Sequence, residues 1–170
     1  MSRNKLRNMH CNLNDLLLKH NCIYNKVIRL KSGINSGIYY DLKKAAGIPE
    51  ILNHVVEELV KLIPENSNIA AVATGAIPYG SVVAYLTQSN FAYVRTSSKN
   101  YGTNRLLEGK LIRNKPVYLI EDVCTTGSSI RSAESILLNH GYNNIIKVCI
   151  LNRSKNKIND VISIEDIYAE

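Results

Sequence analysis

Residues 117–129, which read V-Y-L-I-E-D-V-C-T-T-G-S-S, constrain the fold of this chain more than any other segment. An apolar run with the composition of a buried strand ends in two adjacent acids, Glu121 and Asp122. Small and hydroxyl-bearing residues follow, and then the periodicity of an amphipathic helix begins. The turn can direct backbone N–H groups at an anion, which the helix dipole also favours. The segment therefore predicts a strand, an anion-binding turn and a helix in direct succession.

The two acids and the turn together suit a sugar phosphate. Carboxylates at the carboxyl end of a strand can accept hydrogen bonds from a vicinal diol, while a phosphate binds at the helix start beyond them. The competing interpretation is an ordinary strand-to-helix turn with a hydroxyl cap at Ser128 or Thr126. That interpretation gives no reason for two adjacent acids at a buried strand end, where an unpaired charge is costly.

Strands and helices alternate along most of the remaining chain. The predicted helices span 13–23, with Asn12 or Asn14 as the cap, a segment from Pro49 to a stop at Pro64, 79–86, and 128–139, which Gly141 closes. The predicted strands lie at 27–30, 38–41, 69–74, 91–95, 117–122 and 145–151. Runs that are apolar on both faces and separated by helices predict an α/β fold with a mainly parallel central sheet flanked by helices. Ligands of such sheets bind at the carboxyl ends of the strands.

The length of 170 residues and the hydrophobic content of 45% predict one globular domain, 1–170. We divide it into an N-terminal helix and hood element at 1–45 and a core at 46–153. The polar stretch 96–116 is long for a connection inside a compact domain, and such stretches are usually mobile lids over a site. A β-hairpin or a disordered surface excursion is the alternative interpretation.

Charge and cysteine usage narrow the functional classes only slightly. Lysine and arginine exceed aspartate and glutamate by 21 to 14, with the excess concentrated in residues 1–30. This balance suits a polyanionic small substrate as well as a nucleic acid. No run approaches the roughly 18 to 20 apolar residues of a membrane span, so we expect a cytoplasmic protein. The four cysteines lack the paired spacing of zinc ligands, and we expect neither a disulfide nor a zinc site.

The pattern at 117–129 resembles the signature of the type I phosphoribosyltransferases, which use 5-phosphoribosyl 1-pyrophosphate (PRPP). Further stretches narrow the resemblance to the orotate phosphoribosyltransferase family, and it runs from about residue 13 to 153. These stretches are Lys31-Ser32-Gly33 with the later Tyr39-Tyr40-Asp41, Ala73-Thr74-Gly75-Ala76-Ile77-Pro78, and Val94-Arg95-x-x-x-Lys99-x-Tyr101-Gly102-Thr103. The resemblance implies the type I fold with a small hood and a long mobile catalytic loop. It also implies transfer of the phosphoribosyl group of PRPP to orotate, giving orotidine 5′-monophosphate and pyrophosphate, in de novo pyrimidine biosynthesis.

The resemblance implies a role for each motif residue. Glu121 and Asp122 would hold the ribose hydroxyls, and their negative charge would stabilise the positive charge that develops at the anomeric carbon. Arg95 and Lys99 would neutralise the departing pyrophosphate, so the implied catalytic residues are Arg95, Lys99 and Asp122. The implied PRPP-binding residues are Gly75, Ala76, Arg95, Lys99, Tyr101, Glu121, Asp122, Val123, Cys124, Thr125, Thr126, Gly127, Ser128 and Ser129.

Orotate is a planar carboxylate, which a bidentate cation and a flat aromatic surface are suited to recognise. The implied orotate-binding residues are Lys31, Tyr39, Tyr40, Thr125 and Arg153, although a strand tyrosine is more often core filling. The resemblance implies Mg²⁺ bound mainly through PRPP and pyrophosphate oxygens, without a dedicated protein cage. It further implies a homodimer in which the loop of one subunit closes over the site of the other.

Two loop positions depart from the pattern of many family members. Thr96 stands where they have a lysine, and Tyr101 stands where they have a histidine. One cation is therefore missing, and two other hypotheses stay open. The first keeps the chemistry but changes the base to a purine or uracil. The second is a PRPP-sensing regulator that binds nucleic acid through its basic N-terminal segment, against which the intact Arg95 and Lys99 weigh.

Overall fold

The computed structural model describes residues 12–29, 35–96, 105–154 and 158–167. The helices are α1 (Leu13–Lys19), α2 (Leu42–Ala45), α3 (Pro49–Leu62), α4 (Ile77–Leu86) and α5 (Ser128–Asn139). The strands are β1 (Ile23–Arg29), β2 (Asn35–Tyr40), β3 (Asn68–Val72), β4 (Asn90–Val94), β5 (Leu107–Gly109), β6 (Val117–Cys124), β7 (Ile145–Asn152) and β8 (Val161–Asp166).

Six strands form the central sheet in the order β5-β4-β3-β6-β7-β8. Neighbouring strands run parallel except β4 and β5, which are antiparallel. The predicted fold class, a mainly parallel sheet flanked by helices, is therefore confirmed. The chain leaves β3 for β4 on one side and later enters β6 on the other, so the switch point of the sheet lies between β3 and β6. β1 and β2 form a separate antiparallel pair.

Helices cover both faces of the sheet, as runs that are apolar on both faces require. One hydrophobic cluster packs α1, α3 and α4 against one face, and a second packs α5 against the other. α3 begins with a proline in its first turn and buries Ile51, Val55, Val56 and Leu59 at helical spacing. β3 is buried along its whole length. These two helical layers fix the ends of β3 and β6 relative to each other.

The first helix is shorter than the prediction of 13–23, and its end has a local cause. Asn12 caps it by accepting a hydrogen bond from the Asp15 N–H at 2.8 Å. Asn21 adopts a left-handed conformation with φ 54°, and the N–H of Cys22 donates to the carbonyl of Leu17 at 2.8 Å. This is the Schellman ending, in which asparagine can replace glycine. The chain is therefore free to start β1 at residue 23.

The sequence patterns missed two strands, β5 and β8, and the short helix α2. β5 lies inside the range 96–116 that we predicted as a loop, and it pairs antiparallel with β4. Further along, the side chain of Asn68 holds the backbone of Ile112, accepting from its N–H at 2.8 Å and donating to its carbonyl at 2.7 Å. A short strand thus lies within the predicted loop range, while residues 97–104 lie outside the described residues, and the mobile catalytic loop stays a prediction. β8 likewise extends the sheet beyond the predicted core limit of 153.

Three further observations concern membranes, thiols and metals. Among the described residues, no helix combines the length and the apolar character that crossing a bilayer requires. Cys22, Cys124 and Cys149 are buried free thiols. Within the same residues, no three potential metal-ligating histidine, cysteine or carboxylate side chains cluster together.

Candidate active site

A cavity of about 160 Å³ opens at the carboxyl ends of β3 and β6, at the switch point of the sheet. Four separate stretches of the chain line it. Its residues are Tyr39, Tyr40, Lys43, Ala73, Thr74, Gly75, Glu121, Asp122, Val123, Thr125, Ser128, Ser129 and Arg153. Ten of these thirteen positions are residues that the sequence singled out. The fold therefore brings the acids, the hydroxyl turn, the tyrosines and the arginine together.

The other predicted residues lie elsewhere. Cys124, Thr126 and Gly127 line a smaller adjacent cavity of about 20 Å³. Ala76 is fully buried and lines neither cavity. Arg95 follows β4 and also lines neither of them. Lys31, Lys99 and Tyr101 lie outside the described residues.

The adjacent acids reach the cavity from two sides of β6. The strand continues to Cys124, so both acids lie within it, and successive strand residues point to opposite faces. Asp122 contributes to the raised pKa of Tyr79, on the α4 side, although burial of Tyr79 is the larger cause. Glu121 contributes to the raised pKa of Cys149, where burial is again the main cause. Both acids lie within the last four residues of β6 and line the cavity, which they approach from opposite faces of the strand.

Gly75 lies directly beside the carboxylate of Asp122. A Cβ atom added at Gly75 would lie 1.7 Å from Asp122 Oδ2 and 2.4 Å from its Cγ. Only glycine leaves room for this carboxylate beside the turn. The peptide bond between Ala73 and Thr74, one residue before that of Gly75, is cis. The turn after β3 thus places bare backbone directly beside one acid.

The turn after β6 is built from hydroxyls around a left-handed glycine. Gly127 has φ 71° and stands at the N-cap position of α5, where it provides no side-chain cap. The Thr126 hydroxyl donates to Ser128 Oγ at 3.1 Å and accepts from the Ser128 N–H at 3.3 Å. The Arg131 guanidinium donates to the carbonyl of Thr126 from one helical turn further on. Since Gly127 provides no side-chain cap, the N–H groups that follow Ser128 at the start of α5 are available to an anion.

Arg153 forms part of the opposite wall. Its guanidinium lies 4.7 Å from the ring centroid of Tyr40 and donates to the carbonyl of Ile38 at 3.0 Å. Its backbone N–H donates to the carbonyl of Cys124 at 2.8 Å, which ties it to the end of β6. Burial lowers the pKa of Arg153, and Tyr40 partly opposes this effect. The guanidinium nevertheless stays charged, as arginine does in proteins.

The residue before Arg153 is fixed by a polar network. Asn152 is buried, and its amide nitrogen donates to Asp166 Oδ1 of β8 at 3.0 Å. Its amide oxygen accepts from the N–H and the hydroxyl of Ser154 at 3.1 and 2.7 Å. Buried amides that are satisfied in this way hold one orientation. The strand end that carries Arg153 is therefore fixed from both sides.

Tyr39 lines the aromatic side of the cavity and is supported by Tyr24, which does not line it. The rings of Tyr39 and Tyr24 are stacked, with centroids 6.3 Å apart and an angle of 24° between planes. Lys44 stands behind them and donates to the Tyr24 hydroxyl at 3.2 Å and to the Asn21 carbonyl at 2.9 Å. Burial raises the pKa of Tyr39, with Asp41 and Asp122 adding to the shift. Tyr39 is thus a neutral, supported ring facing the cavity.

Arg95 is held away from this cavity by its own neighbours. Its Nε donates to Glu108 Oε1 of β5 at 3.1 Å, and its guanidinium lies 5.1 Å from the ring centroid of Tyr93. The Glu108 hydrogen bond is the main cause of the raised pKa of Arg95, followed by Tyr93. The backbone N–H of Arg95 donates to the carbonyl of Leu106 at 2.8 Å, which closes the stretch 95–106 at its base.

The sequence patterns missed three cavity residues, Lys43, Ala73 and Thr74. Ala73 and Thr74 could have been inferred from their place directly before Gly75, because both ends of a turn at a switch point face the ligand. No local signal marks Lys43. It is one of two adjacent lysines in a four-residue helix, and periodicity does not say which of the two faces a cavity.

Comparison with known proteins agrees with this site. The family model for the phosphoribosyl transferase domain matches residues 42–167, which include the acids, both turns and Arg153. The chain belongs to the phosphoribosyltransferase family. An orotate phosphoribosyltransferase of Methanosphaera stadtmanae is 34% identical over 139 residues, 81% of this chain and 78% of that protein. One of Pyrobaculum islandicum is 38% identical over 117 residues, 68% of this chain. That match spans 61% of the Pyrobaculum protein's length.

Solved structures of other phosphoribosyltransferases have the same fold as this chain. Orotate phosphoribosyltransferase from Aeropyrum pernix matches with a TM-score of 0.73 at 22% identity, over 92% of this chain and 94% of that one. Adenine phosphoribosyltransferase from Thermoanaerobacter pseudethanolicus matches with a TM-score of 0.64 at 20% identity, over 89% and 99% of the two chains. Enzymes for different bases thus have this fold, so the base must be argued from the cavity.

Proposed function

We propose that this protein is an orotate phosphoribosyltransferase, which transfers the 5-phosphoribosyl group of PRPP to orotate and releases pyrophosphate. The observation that carries the proposal is one cavity lined by two carboxylates, a hydroxyl turn at a helix start and an arginine supported by tyrosines. A diol, a phosphate and a planar carboxylate are the ligands that these three features suit. The similarity to curated orotate phosphoribosyltransferases supports the same assignment.

The ribose phosphate would lie along the end of β6. The carboxylates of Glu121 and Asp122 accept from the 2′ and 3′ hydroxyls, and their approach from two sides suits two separate hydroxyls. The 5′-phosphate binds the N–H groups and hydroxyls of residues 125–129 at the start of α5. The same carboxylates stabilise the positive charge that grows on the anomeric carbon as its bond to pyrophosphate breaks.

The pyrophosphate leaves with the electron pair of that bond, orotate N1 forms the new bond to the anomeric carbon, and the N1 proton passes to water or to the departing pyrophosphate. The leaving group gathers most of the charge in this step, so cations near it contribute most to the rate. We propose Arg95 and Lys99 for this task, with Tyr101 beside them. The ion pair of Arg95 with Glu108 supports this role only if the guanidinium changes partner when PRPP binds.

Orotate would lie between Arg153 and the tyrosines. The guanidinium can bind its carboxylate through two parallel hydrogen bonds, a geometry that lysine does not provide. Tyr39 and Tyr40 supply a flat surface for the ring, and Thr125 lines the same cavity from the β6 side. Lys31 is proposed to complete the site. Uracil and the purines lack the carboxylate, so the charge on Arg153 favours orotate over them.

Mg²⁺ is proposed to accompany PRPP. This ion prefers oxygen ligands and is usually bound by one or two carboxylates together with substrate phosphates. The carboxylates of Glu121 and Asp122 in the cavity fit that requirement, with the remaining ligands coming from the substrate and water. When bound, the ion neutralises charge on the pyrophosphate oxygens.

We further propose a homodimer with shared sites. Arg95 lines neither described cavity, and its guanidinium is held beside β5. A catalytic Arg95 therefore has to move or to serve the cavity of another subunit. Mixing Arg95→Ala with Asp122→Asn subunits distinguishes these cases. Activity returns in the mixture only if the two residues of one site come from different chains, because hybrids then contain one intact site.

A direct assay tests the main proposal. Purified protein with orotate, PRPP and Mg²⁺ should consume orotate and release pyrophosphate. The fall in orotate absorbance measures the reaction. The double variant Glu121→Gln, Asp122→Asn should bind PRPP far more weakly, whereas Glu165→Gln, a change on the outer strand β8, should not. Competition with uracil, adenine and hypoxanthine should leave orotate as the preferred base. A folded protein that consumes no orotate contradicts the assignment, and a protein that instead binds nucleic acid in a salt-dependent way favours a regulator.

We place this activity in the de novo synthesis of pyrimidine nucleotides, in the cytoplasm. Orotidine 5′-monophosphate is a nucleotide that needs only the loss of its carboxylate to become uridine 5′-monophosphate. The proposal is tested in cells by asking whether the gene restores growth of a pyrimidine-requiring strain that lacks this activity. Failure with a confirmed, folded protein counts against this place in metabolism.

A further inference from the structure

The cavity holds a cation that no sequence motif predicted. Lys43 lines it from α2, the short helix that follows the hood strand β2. Among the described residues that line the cavity, the cations are Lys43 and Arg153. Arg153 lies against Tyr40 and the carbonyl of Ile38, on the hood side. Lys43 is therefore the second positive charge on the described lining of the cavity.

Lys43 differs from its neighbour in how it is used. The ammonium of Lys44 donates to the Asn21 carbonyl and the Tyr24 hydroxyl, and so supports the hood. Within the described part of the chain, the Lys43 side chain has no hydrogen bond or ion pair, and the residue is exposed at the cavity. An unengaged ammonium can bind an anion without first breaking another contact.

A buried hydroxyl fixes where Lys43 stands. Tyr79 is fully buried in α4, and its hydroxyl donates to the carbonyl of Leu42 at 2.7 Å. α4 is the helix that begins directly after the turn at Gly75. The contact therefore ties the residue before Lys43 to the helix that follows this turn. Lys43 lines the same cavity as Ala73, Thr74 and Gly75 of the turn after β3.

The turn after β3 lacks a cation of its own. Residues 73–76 are two alanines, a threonine and a glycine, and Gly75 presents bare backbone next to Asp122. A phosphate that approaches this backbone meets the carboxylate of Asp122 and needs a positive charge nearby to offset the repulsion. Pyrophosphate carries the largest charge of any group in the proposed reaction. Lys43 is placed to supply the offset.

We propose that Lys43 is a substrate-binding residue that holds the pyrophosphate group of PRPP at the turn after β3. The inference rests on the proposed function and deepens it, because it assigns one described cation to the leaving group and leaves Arg153 for the base. It does not depend on residues 97–104. Lys43 acts in the ground state and on the departing pyrophosphate alike, so its loss weakens binding more than it slows the chemical step.

The test uses calorimetric binding without orotate, so that no turnover occurs. In Lys43→Gln, the Kd for PRPP and for pyrophosphate should rise about tenfold or more, which is the size expected for one charge-assisted hydrogen bond. The Kd for ribose 5-phosphate, which lacks the pyrophosphate, should not change. Lys43→Arg should restore most of the PRPP affinity. Lys61→Gln, which removes a charge from the exposed end of α3, is the control and should behave as wild type.

Each result decides the proposal. An unchanged PRPP affinity in Lys43→Gln overturns it, and so does an equal loss of ribose 5-phosphate affinity, because the residue would then act on another group or through the fold. Thermal unfolding of every variant shows whether the fold is kept, and rescue by arginine separates charge from packing. A wild-type protein that binds PRPP but consumes no orotate contradicts the orotate assignment and leaves the Lys43 test valid. A wild-type protein that does not bind PRPP overturns both.

Discussion

The two turns that border the cavity follow neighbouring strands but are built for different tasks. The turn after β3 is made of small residues, and at Gly75 it leaves space for Asp122. The turn after β6 is made of hydroxyls and a left-handed glycine, and it opens the uncapped start of α5. The first therefore supplies room and relies on distant side chains for charge, whereas the second supplies donors itself. Substitutions in the two turns should therefore impair different properties of the protein.

Gly75→Ala should have the largest effect. The added carbon would lie 1.7 Å from Asp122 Oδ2, so the carboxylate has to move. A displacement of about 1 Å at a reacting centre can cost around a hundredfold in rate, and we expect at least that loss in kcat. Gly37→Ala is the matched control, because nothing lies within 4 Å of a Cβ at that glycine. Steady-state kinetics of both variants would contradict the contrast if Gly75→Ala kept wild-type turnover.

Gly127→Ala should act on affinity and stability together. A left-handed alanine costs roughly 1–2 kcal/mol, and the new carbon would lie 3.1 Å from Arg131 and from Ile158. We expect ribose 5-phosphate and PRPP to bind about tenfold more weakly, since both carry the 5′-phosphate that we propose for this turn. Asparagine tolerates the left-handed region better, so Gly127→Asn should lose less. Denaturant unfolding and calorimetry measure the two effects, and equal losses in both variants would contradict the backbone explanation.

Tyr79→Phe should cost about 1 kcal/mol of stability, because the Leu42 carbonyl loses its hydrogen bond from the buried hydroxyl and keeps that from the Ala46 N–H. Burial and the nearby Asp122 raise the pKa of Tyr79 above the ordinary value of 10.0. The unfolded chain therefore loses this proton first as pH rises, and the stabilisation is complete below pH 10 and declines above it. The stability gap between wild type and Tyr79→Phe should narrow above about pH 10. Urea unfolding across pH checks the sign, and a gap that widens there would contradict it.

Arg131→Met should have the smallest effect. The variant keeps the apolar stem but removes the exposed guanidinium that donates to the Thr126 carbonyl. We expect ribose 5-phosphate affinity to fall about twofold to threefold, in line with the small net value of one exposed hydrogen bond. Arg113 makes the corresponding contact to the carbonyl of His140 at the other end of α5. Arg113→Met should leave this affinity unchanged, and similar losses in both variants would show that only helix stability matters.

Local patterns were sufficient for the parts of the molecule that local physics determines. The segment 117–129 gave its strand, turn and helix in the right order, and α3 starts at Pro49 as its pattern predicts. Gly141 follows α5 with φ 80°, as a helix-ending glycine should. The prediction that these turns share one sheet edge follows from parallel topology, and the structure agrees.

The remaining features depend on contacts between distant residues. β5 has three residues and is held by pairing with β4, so its own sequence carries almost no strand signal. The side chains of Glu121 and Asp122 point to opposite faces of the sheet because β6 continues to Cys124, two residues beyond the end that its pattern indicates. Lys43 gains its place through the contact of Tyr79 with Leu42, 37 positions apart in the chain. Periodicity cannot reveal such pairs, because it describes one element at a time.

The side-chain network around Asn152 lies apart from the turns proposed to hold the sugar phosphate, so base selection and sugar binding depend on different parts of the molecule. The arginine proposed to select the base stands on a strand end that Asn152, Ser154 and Asp166 hold together. The turns proposed to hold the sugar phosphate, in contrast, present backbone within residues 73–76 and backbone with hydroxyls within residues 125–129. A descendant could therefore acquire a different base by exchanging a few side chains at the β7–β8 end, while its grip on the activated sugar persists. Divergence in nucleobase preference along this lineage should accumulate there first.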